Sequence, residues 1–223
     1  MSARDSILNK IRGSLKAGPS DAARLKAVEE RLRTAPKGII PARGQLDAAG
    51  RAALFCTMAQ KLAASVERVE RQEDVPAAVA AYLRAKNLPA AVRMGADTRL
   101  TALSWQQETA LEIRRGASDG DDEVAVSHAY AGVAETGTLV MVSGPDNPTT
   151  LNFLPEHHIV VVDAADIGGD METALARVRA QYGRGEMPRT LNFISGPSRS
   201  GDVEQKIVLG AHGPRALHLI VVG

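Results

Sequence analysis

Apolar positions in this chain follow two periods. Early on they recur every three or four residues, as along one face of a helix: Ile7, Leu8, Ile11 and Leu15, then Leu25, Val28 and Leu32. Gly18-Pro19 separates the two runs, and Ser20 or Asp21 can cap the second. The same period predicts helices over 46–66, with Leu54, Phe55, Met58 and Leu62 inward, and over 74–86, with Val75, Val79, Tyr82 and Leu83 inward. Asp74 stands at the cap of the latter and Pro76 in its first turn. From residue 90 the pattern changes. Short β-branched runs at 90–94, 111–113, 123–127 (EVAVS), 138–142 (TLVMV), 158–162 (HIVVV), 191–194 and 217–222 (LHLIVV) predict strands. Several are almost continuously apolar, as strands buried on both faces are, which points to a largely parallel sheet. A small helix is expected over 98–104 and a longer one over 170–182, with Met171, Leu175 and Val178 inward. The latter lies between strands as a βαβ unit requires.

Pro36, Gly38, Pro41 and Gly44 mark a linker, so the expected organisation is a helical extension with linker over 1–44 and an α/β domain over 45–223. Residues 1–37 hold nine Lys/Arg against four acids. Basic helical faces are usually solvated or dock on a partner. Over the whole chain the net charge is only +1 and aromatics are 3%, which argues against nucleic-acid binding. The single cysteine, Cys56, excludes a disulfide framework and a four-thiolate iron–sulfur or zinc site on this chain. No apolar stretch approaches the ~20 residues of a membrane span, and the first residues lack the apolar core of a signal peptide. A cytoplasmic protein is expected.

Unusual chemistry concentrates in 190–214, TLNFISGPSRSGDVEQKIVLGAHGP. A strand meets an abrupt turn that delivers Ser195, Gly196, Ser198, Arg199 and Ser200 to one point. Asp202 and Gln205 resemble a capping box, with Val203, Ile207 and Val208 as a short helical face ended by Gly210. Such a helix would turn its free N–H groups toward the serines, where an anion is favoured. Arg199 can grip a carboxylate or phosphate with two hydrogen bonds. The plainer alternative is a surface turn capped by its own serines.

A second constellation, Glu135-Thr136-Gly137-Thr138, leads into the 138–142 strand. A partly desolvated Glu135 can act as base or nucleophile; equally, it can simply fix the turn. His128 follows a strand, and His212 lies between glycines within reach of the Ser195–Arg199 turn if the chain doubles back. His157 and His158 would point to opposite sheet faces and make a poor metal pair, and His218 reads as structural. No metal site is expected.

AETGT at 134–138, LPEHHIVVV at 154–162, ISGPSR at 194–199, DVE at 202–204 and LGAHGPRALHLIVV at 209–222 resemble the lactate utilization protein C family, or LUD domain. SILNKIRGSL at 6–15 is similar to that family's opening helix, while SRSGDVE replaces the more usual SRTADIE. The resemblance implies a mostly parallel sheet between helices, of the type shared by sugar-phosphate isomerases, CoA-transferases and 5-formyltetrahydrofolate cyclo-ligases. It implies a component that acts with two cysteine-rich iron–sulfur proteins in oxidising L-lactate to pyruvate, with no cofactor on this chain and the clusters on those partners. Carried over, Glu135 to Thr138, Ser195 to Arg199, Asp202 and His212 form the functional surface.

Three readings stay open. In the first, Arg199 and the serines hold a small carboxylate or other anion and His128 or His212 takes a proton. In the second, a stand-alone transferase or isomerase acts on a CoA or phosphate substrate with Glu135 as nucleophile. In the third, the chain is a non-catalytic assembly or regulatory subunit.

Overall fold

The strands and helices after residue 40 are arranged by which of their faces must leave water. The computed structural model describes residues 2–16, 21–183, 185–203 and 206–223, without the side chains of 201–203 and 206–208. The chain divides into residues 1–39 and 40–223. The first unit holds α1 (Ala3–Ser14) and α2 (Ala22–Thr34). Ser2 and Asp5 exchange hydrogen bonds as a capping box, and Asp21 caps α2 through Arg24 N. Neither helix buries a residue.

The second unit contains α3 (Ala48–Lys61), β1 (Ser65–Val69), α4 (Val75–Ala85), β2 (Ala91–Met94), α5 (Thr98–Thr101), β3 (Glu112–Arg115) and β4 (Val124–His128). There follow β5 (Ala131–Val133), β6 (Thr138–Val142), β7 (His157–Asp163), β8 (Ile167–Gly168), α6 (Met171–Tyr182), β9 (Leu191–Ile194), β10 (Arg199–Val203), β11 (Lys206–Leu209) and β12 (Ala216–Val222). Six strands form one wholly parallel sheet in the order β1-β12-β7-β4-β2-β3. The mixed α/β architecture with a mainly parallel central sheet agrees with the sequence expectation.

β4, β7 and β12 hold continuous apolar stretches, at 124–126, 159–162 and 219–222, because both their faces are covered. Val124, Val126, Ile159, Val161 and Ile220 pack on one side against Val75, Val79, Tyr82 and Leu83 of α4. Val160, Val162, Leu219 and Val221 pack on the other against Phe55 of α3 and Leu139 and Met141 of β6. Each such side chain, fully buried, contributes about 1.5–3 kcal/mol over its exposed state.

Four expectations need correction. Strands 138–142 and 191–194 do not join the parallel sheet: β6 and β9 pair antiparallel in a second sheet ordered β8-β5-β6-β9, whose far face is covered by α6. The expected helix over 46–66 stops at Lys61; Ala63 turns left-handed at φ 65°, and half-exposed β1 begins. The expected helix over 98–104 is a single turn, α5. The expected helix after Asp202 is instead the antiparallel pair β10–β11, with Arg199 opposite Leu209 and Ser200 opposite Val208. β-branched Val203, Ile207 and Val208 suit a pleated ribbon, and with that helix absent, its anion-favouring N-terminus is absent too.

Candidate functional site

β9 delivers the Ser195–Arg199 turn into a cleft of about 270 Å³. Gly196 has φ 81°, and a Cβ there would meet the carbonyl of Leu62, so a glycine is needed on both counts. Ser198 N–H donates to Pro214 O at 2.8 Å, Gly210 N–H donates to Ser198 O at 3.1 Å, and His212 N–H donates to Ser198 Oγ at 3.2 Å. The turn is thereby fixed to the 210–214 loop. Arg199 Nη2 donates to Leu62 O at 2.5 Å, at the C-cap of α3, where the helix dipole favours a cation. Ser195, Arg199 and His212 are solvent-exposed, and Phe153 and Phe193 form apolar walls at 42% and 41% exposure.

The Glu135–Thr138 turn reaches this cleft only through its hydroxyls. Thr136 Oγ1 lies 2.7 Å from Thr138 Oγ1, and Thr138 Oγ1 lies 2.7 Å from Ser195 Oγ. Gly137, at φ 64°, lets the turn press on the backbone of Met58 and Ala59. Glu135 faces elsewhere and is not among the cleft's lining residues. It is buried, accepts from Met171 N–H at 3.2 Å, and has its second oxygen 4.0 Å from Arg43 Nε. A carboxylate on the first residue of α6 stabilises the helix's positive end, beside the Asp170 cap. Ser200 lies in β10, and the side chain of Asp202 falls outside the described residues.

The five histidines separate. His212 precedes β12, at the amino edge of the parallel sheet, whereas His128 closes β4 at the carboxyl edge. His128 and the Ser195–His212 cleft are therefore at opposite ends of the sheet. His157 pairs with Tyr82 Oη at 2.9 Å on one face and His158 with Ser127 Oγ at 3.0 Å on the other, as their adjacency predicts. His218 stacks on Tyr82, centroids 4.2 Å apart. Burial pushes His158 down to about 3 and His218 down to about 4, the latter helped by Lys86.

His128 belongs to a cluster that the sequence did not reveal. Its Nδ1 is 2.9 Å from Ala129 O, which can only accept, so Nδ1 carries the proton. Its buried Nε2 stands 3.6 Å from Asp163 Oδ2. Arg99 donates to Ala129 O and, through Nε and Nη2, to Asp97 at 3.0 and 2.7 Å. Asn147 Nδ2 also donates to Asp97, at 3.0 Å. Burial opposes the charge on Asp97, but the Arg99 fork and the Asn147 amide outweigh it and hold the carboxyl at about 2. Burial, and then Arg99, lower the pKa of His128 against the pull of Asp163. The cluster spans the carboxyl ends of β2, β4 and β7, where strand order reverses between β2 and β4. An Asp-x-Arg just past a strand was the available signal.

The fold and cleft define an α/β protein of the parallel-sheet type with an open, hydroxyl-rich cleft beside a single exposed guanidinium. Residues 52–222 match the LUD domain, and the chain belongs to the LUD domain family. A lactate utilization protein C of Geobacillus sp. (strain WCH70) is 37% identical over 100 residues, covering 44% of this chain and 42% of that protein. That of Shouchella clausii is 33% identical over 100 residues, 45% of this chain and 44% of that protein. An uncharacterized protein of Neisseria meningitidis is 32% identical over 127 residues, 57% of this chain and 53% of that protein. These matches span about half or less of each relative. The crystal structure of a DUF162 family protein from Deinococcus radiodurans shares the fold, with a TM-score of 0.62 and 23% identity over 80% of this chain and 99% of that one. Among the described residues no helix is long and apolar enough to cross a membrane.

Proposed function

We propose that this chain serves lactate utilization, as the names of its relatives say of those proteins, by holding a small carboxylate in the Ser195–His212 cleft. The observation that carries the reading is the joining of the two loops at Ser198, which sets Arg199 and His212 around one opening. Arg199 holds the carboxylate, Ser195 and Ser198 orient it, and His212 takes the hydroxyl proton as L-lactate becomes pyruvate. The second proton and two electrons leave with iron–sulfur partner proteins. A four-thiolate cluster site needs more thiols than the single Cys56 of this chain.

Calorimetric titration of the purified chain with L-lactate, pyruvate and inorganic phosphate tests the reading. Arg199→Lys keeps the charge and loses the planar fork, so carboxylate affinity is expected to fall by about 1.5–3 kcal/mol, ten- to a hundredfold. Equal affinity in the two proteins, or no carboxylate binding by the parent, removes the anion site. Co-purification with cysteine-rich iron–sulfur proteins from the same cells tests the partners separately.

A further inference from the structure

A second cleft, of about 220 Å³, opens at the edge of the smaller sheet and shares no lining residue with the first. β8 is the edge strand there. Arg51 of α3 lines the cleft from one side and Arg177 of α6 from the other, over Gly132, Ile167 and Gly168. The two guanidiniums are in different states. Arg177 donates to Asp166 Oδ1 at 2.7 Å and lies 4.7 Å over the ring of Tyr130, so it is both neutralised and held in place. Arg51 is partly buried, and its Nε is shut off from solvent with no hydrogen-bond partner among the described residues. No carboxylate among the described residues forms an ion pair with it. A donor shut off from water without an acceptor costs stability, although Arg51 as a whole is partly exposed and only its Nε is in that state. With Asp166 cancelling Arg177, the lining side chains retain one positive charge, that of Arg51. Thr173 Oγ1 is committed to Asp170 and adds no donor.

We propose that this β8-edge cleft between α3 and α6 is a binding site for an oxyanion, a carboxylate or phosphate group, gripped by Arg51 with Arg177 as its second, pre-positioned guanidinium. The planar fork of Arg51 matches the two oxygens of either group. An anion that binds only the folded chain at Arg51 and Arg177 raises the stability of the fold, so binding and folding are coupled at this position. The site stands independently of the Ser195–His212 reading.

The test compares thermal melts and calorimetric titrations in sodium phosphate and sodium acetate against sodium chloride at constant ionic strength. The parent chain is expected to melt higher, and saturably, in phosphate, acetate or both; the pair of arms separates the two anion sources. Arg51→Met is expected to lose that rise while melting at or above the parent in chloride. Asp166→Asn frees Arg177 and is expected to strengthen anion binding several-fold, which keeps the proposal testable if Arg51→Met folds poorly. Arg199→Lys is expected to keep that part of the rise which Arg51→Met removes. The proposal is overturned if the parent shows no response to either anion, if Arg51→Met keeps the full response, if Asp166→Asn binds no more tightly, or if Arg199→Lys abolishes the response.

Discussion

The two ends of the parallel sheet carry polar side chains under opposite conditions. At the carboxyl edge Asp97, Arg99, Asn147 and His128 are tied to one another, and Asp97 and His128 are buried. At the amino edge Ser195, Arg199 and His212 stand in water around a cleft, tied to the protein mainly through backbone atoms. Polar groups that already have protein partners are costly to disturb and contribute to the architecture. Groups exposed beside a cavity can exchange water for a ligand at little cost. On that contrast the first edge serves architecture, and the second is the one free to carry the recognition proposed for it.

The largest expected effect tests the buried side of that contrast with acid. An unfolded histidine titrates near 6.5, whereas His158 is held at about 3 and His218 at about 4. Below pH 6.5 the unfolded chain takes up protons that the folded chain refuses, so stability falls with pH by about 1.4 kcal/mol per unit for each histidine. The loss runs on to about pH 4 for His218 and about pH 3 for His158. Urea titrations at pH 7, 6 and 5 should show it, and His158→Asn should flatten the slope by about one proton. An unchanged slope in that variant would mean that His158 is not the group responsible.

Next comes Asp97→Ala, which removes the acceptor of the partly exposed Arg99 and of the Asn147 amide and should cost about 1.5–3 kcal/mol of unfolding free energy. A loss below about 1 kcal/mol, the size of a surface pair, would erase the distinction between the two edges. Gly137→Ala should cost about 1–3 kcal/mol through overpacking against Met58 and Ala59. Ser198→Ala removes the acceptor for His212 N–H, and its expected stability cost is about 0.5–1.5 kcal/mol. Its larger consequence should be weaker carboxylate binding in the same titrations; equal binding would detach the 210–214 loop from recognition. Smallest of all, removing residues 1–39, whose helices bury no side chain, should leave the melting transition of the remaining unit cooperative.

Legibility followed burial. β4, β7 and β12 could be read from their apolar runs because both faces are covered, whatever the strand order. β1 could not: along SVERV at the sheet edge Ser65 and Arg68 are exposed and Val66, Glu67 and Val69 half-buried, a spacing of three that continues the period of α3 well enough to pass as helix. β10–β11 was misread for a related reason. Asp202 and Gln205 stand three apart and Val203 and Ile207 four apart, a spacing that fits a helix as well as a ribbon, and nothing in it favours the local pairing of Val203 with Lys206 that closes the ribbon. The Ser195–Arg199 turn was legible because its residues are consecutive. The Asp97–Arg99–His128–Asp163 cluster was not, because its members gather from three strand ends whose order only the folded sheet supplies.

That order also dictates a timetable. β1 has one neighbour in the sheet, β12, with Ser65 beside His218. β12 is the last of the six parallel strands to be synthesised, yet it sits between β1 and β7. Until residues 216–222 emerge from the ribosome, β1 has no partner and one edge of β7 is open, which is the geometry that recruits strands from other chains. Closure of so non-local a pairing is slow. The nascent chain therefore carries a slot one strand wide and seven residues long between β1 and β7, and only β12 makes the sheet whole.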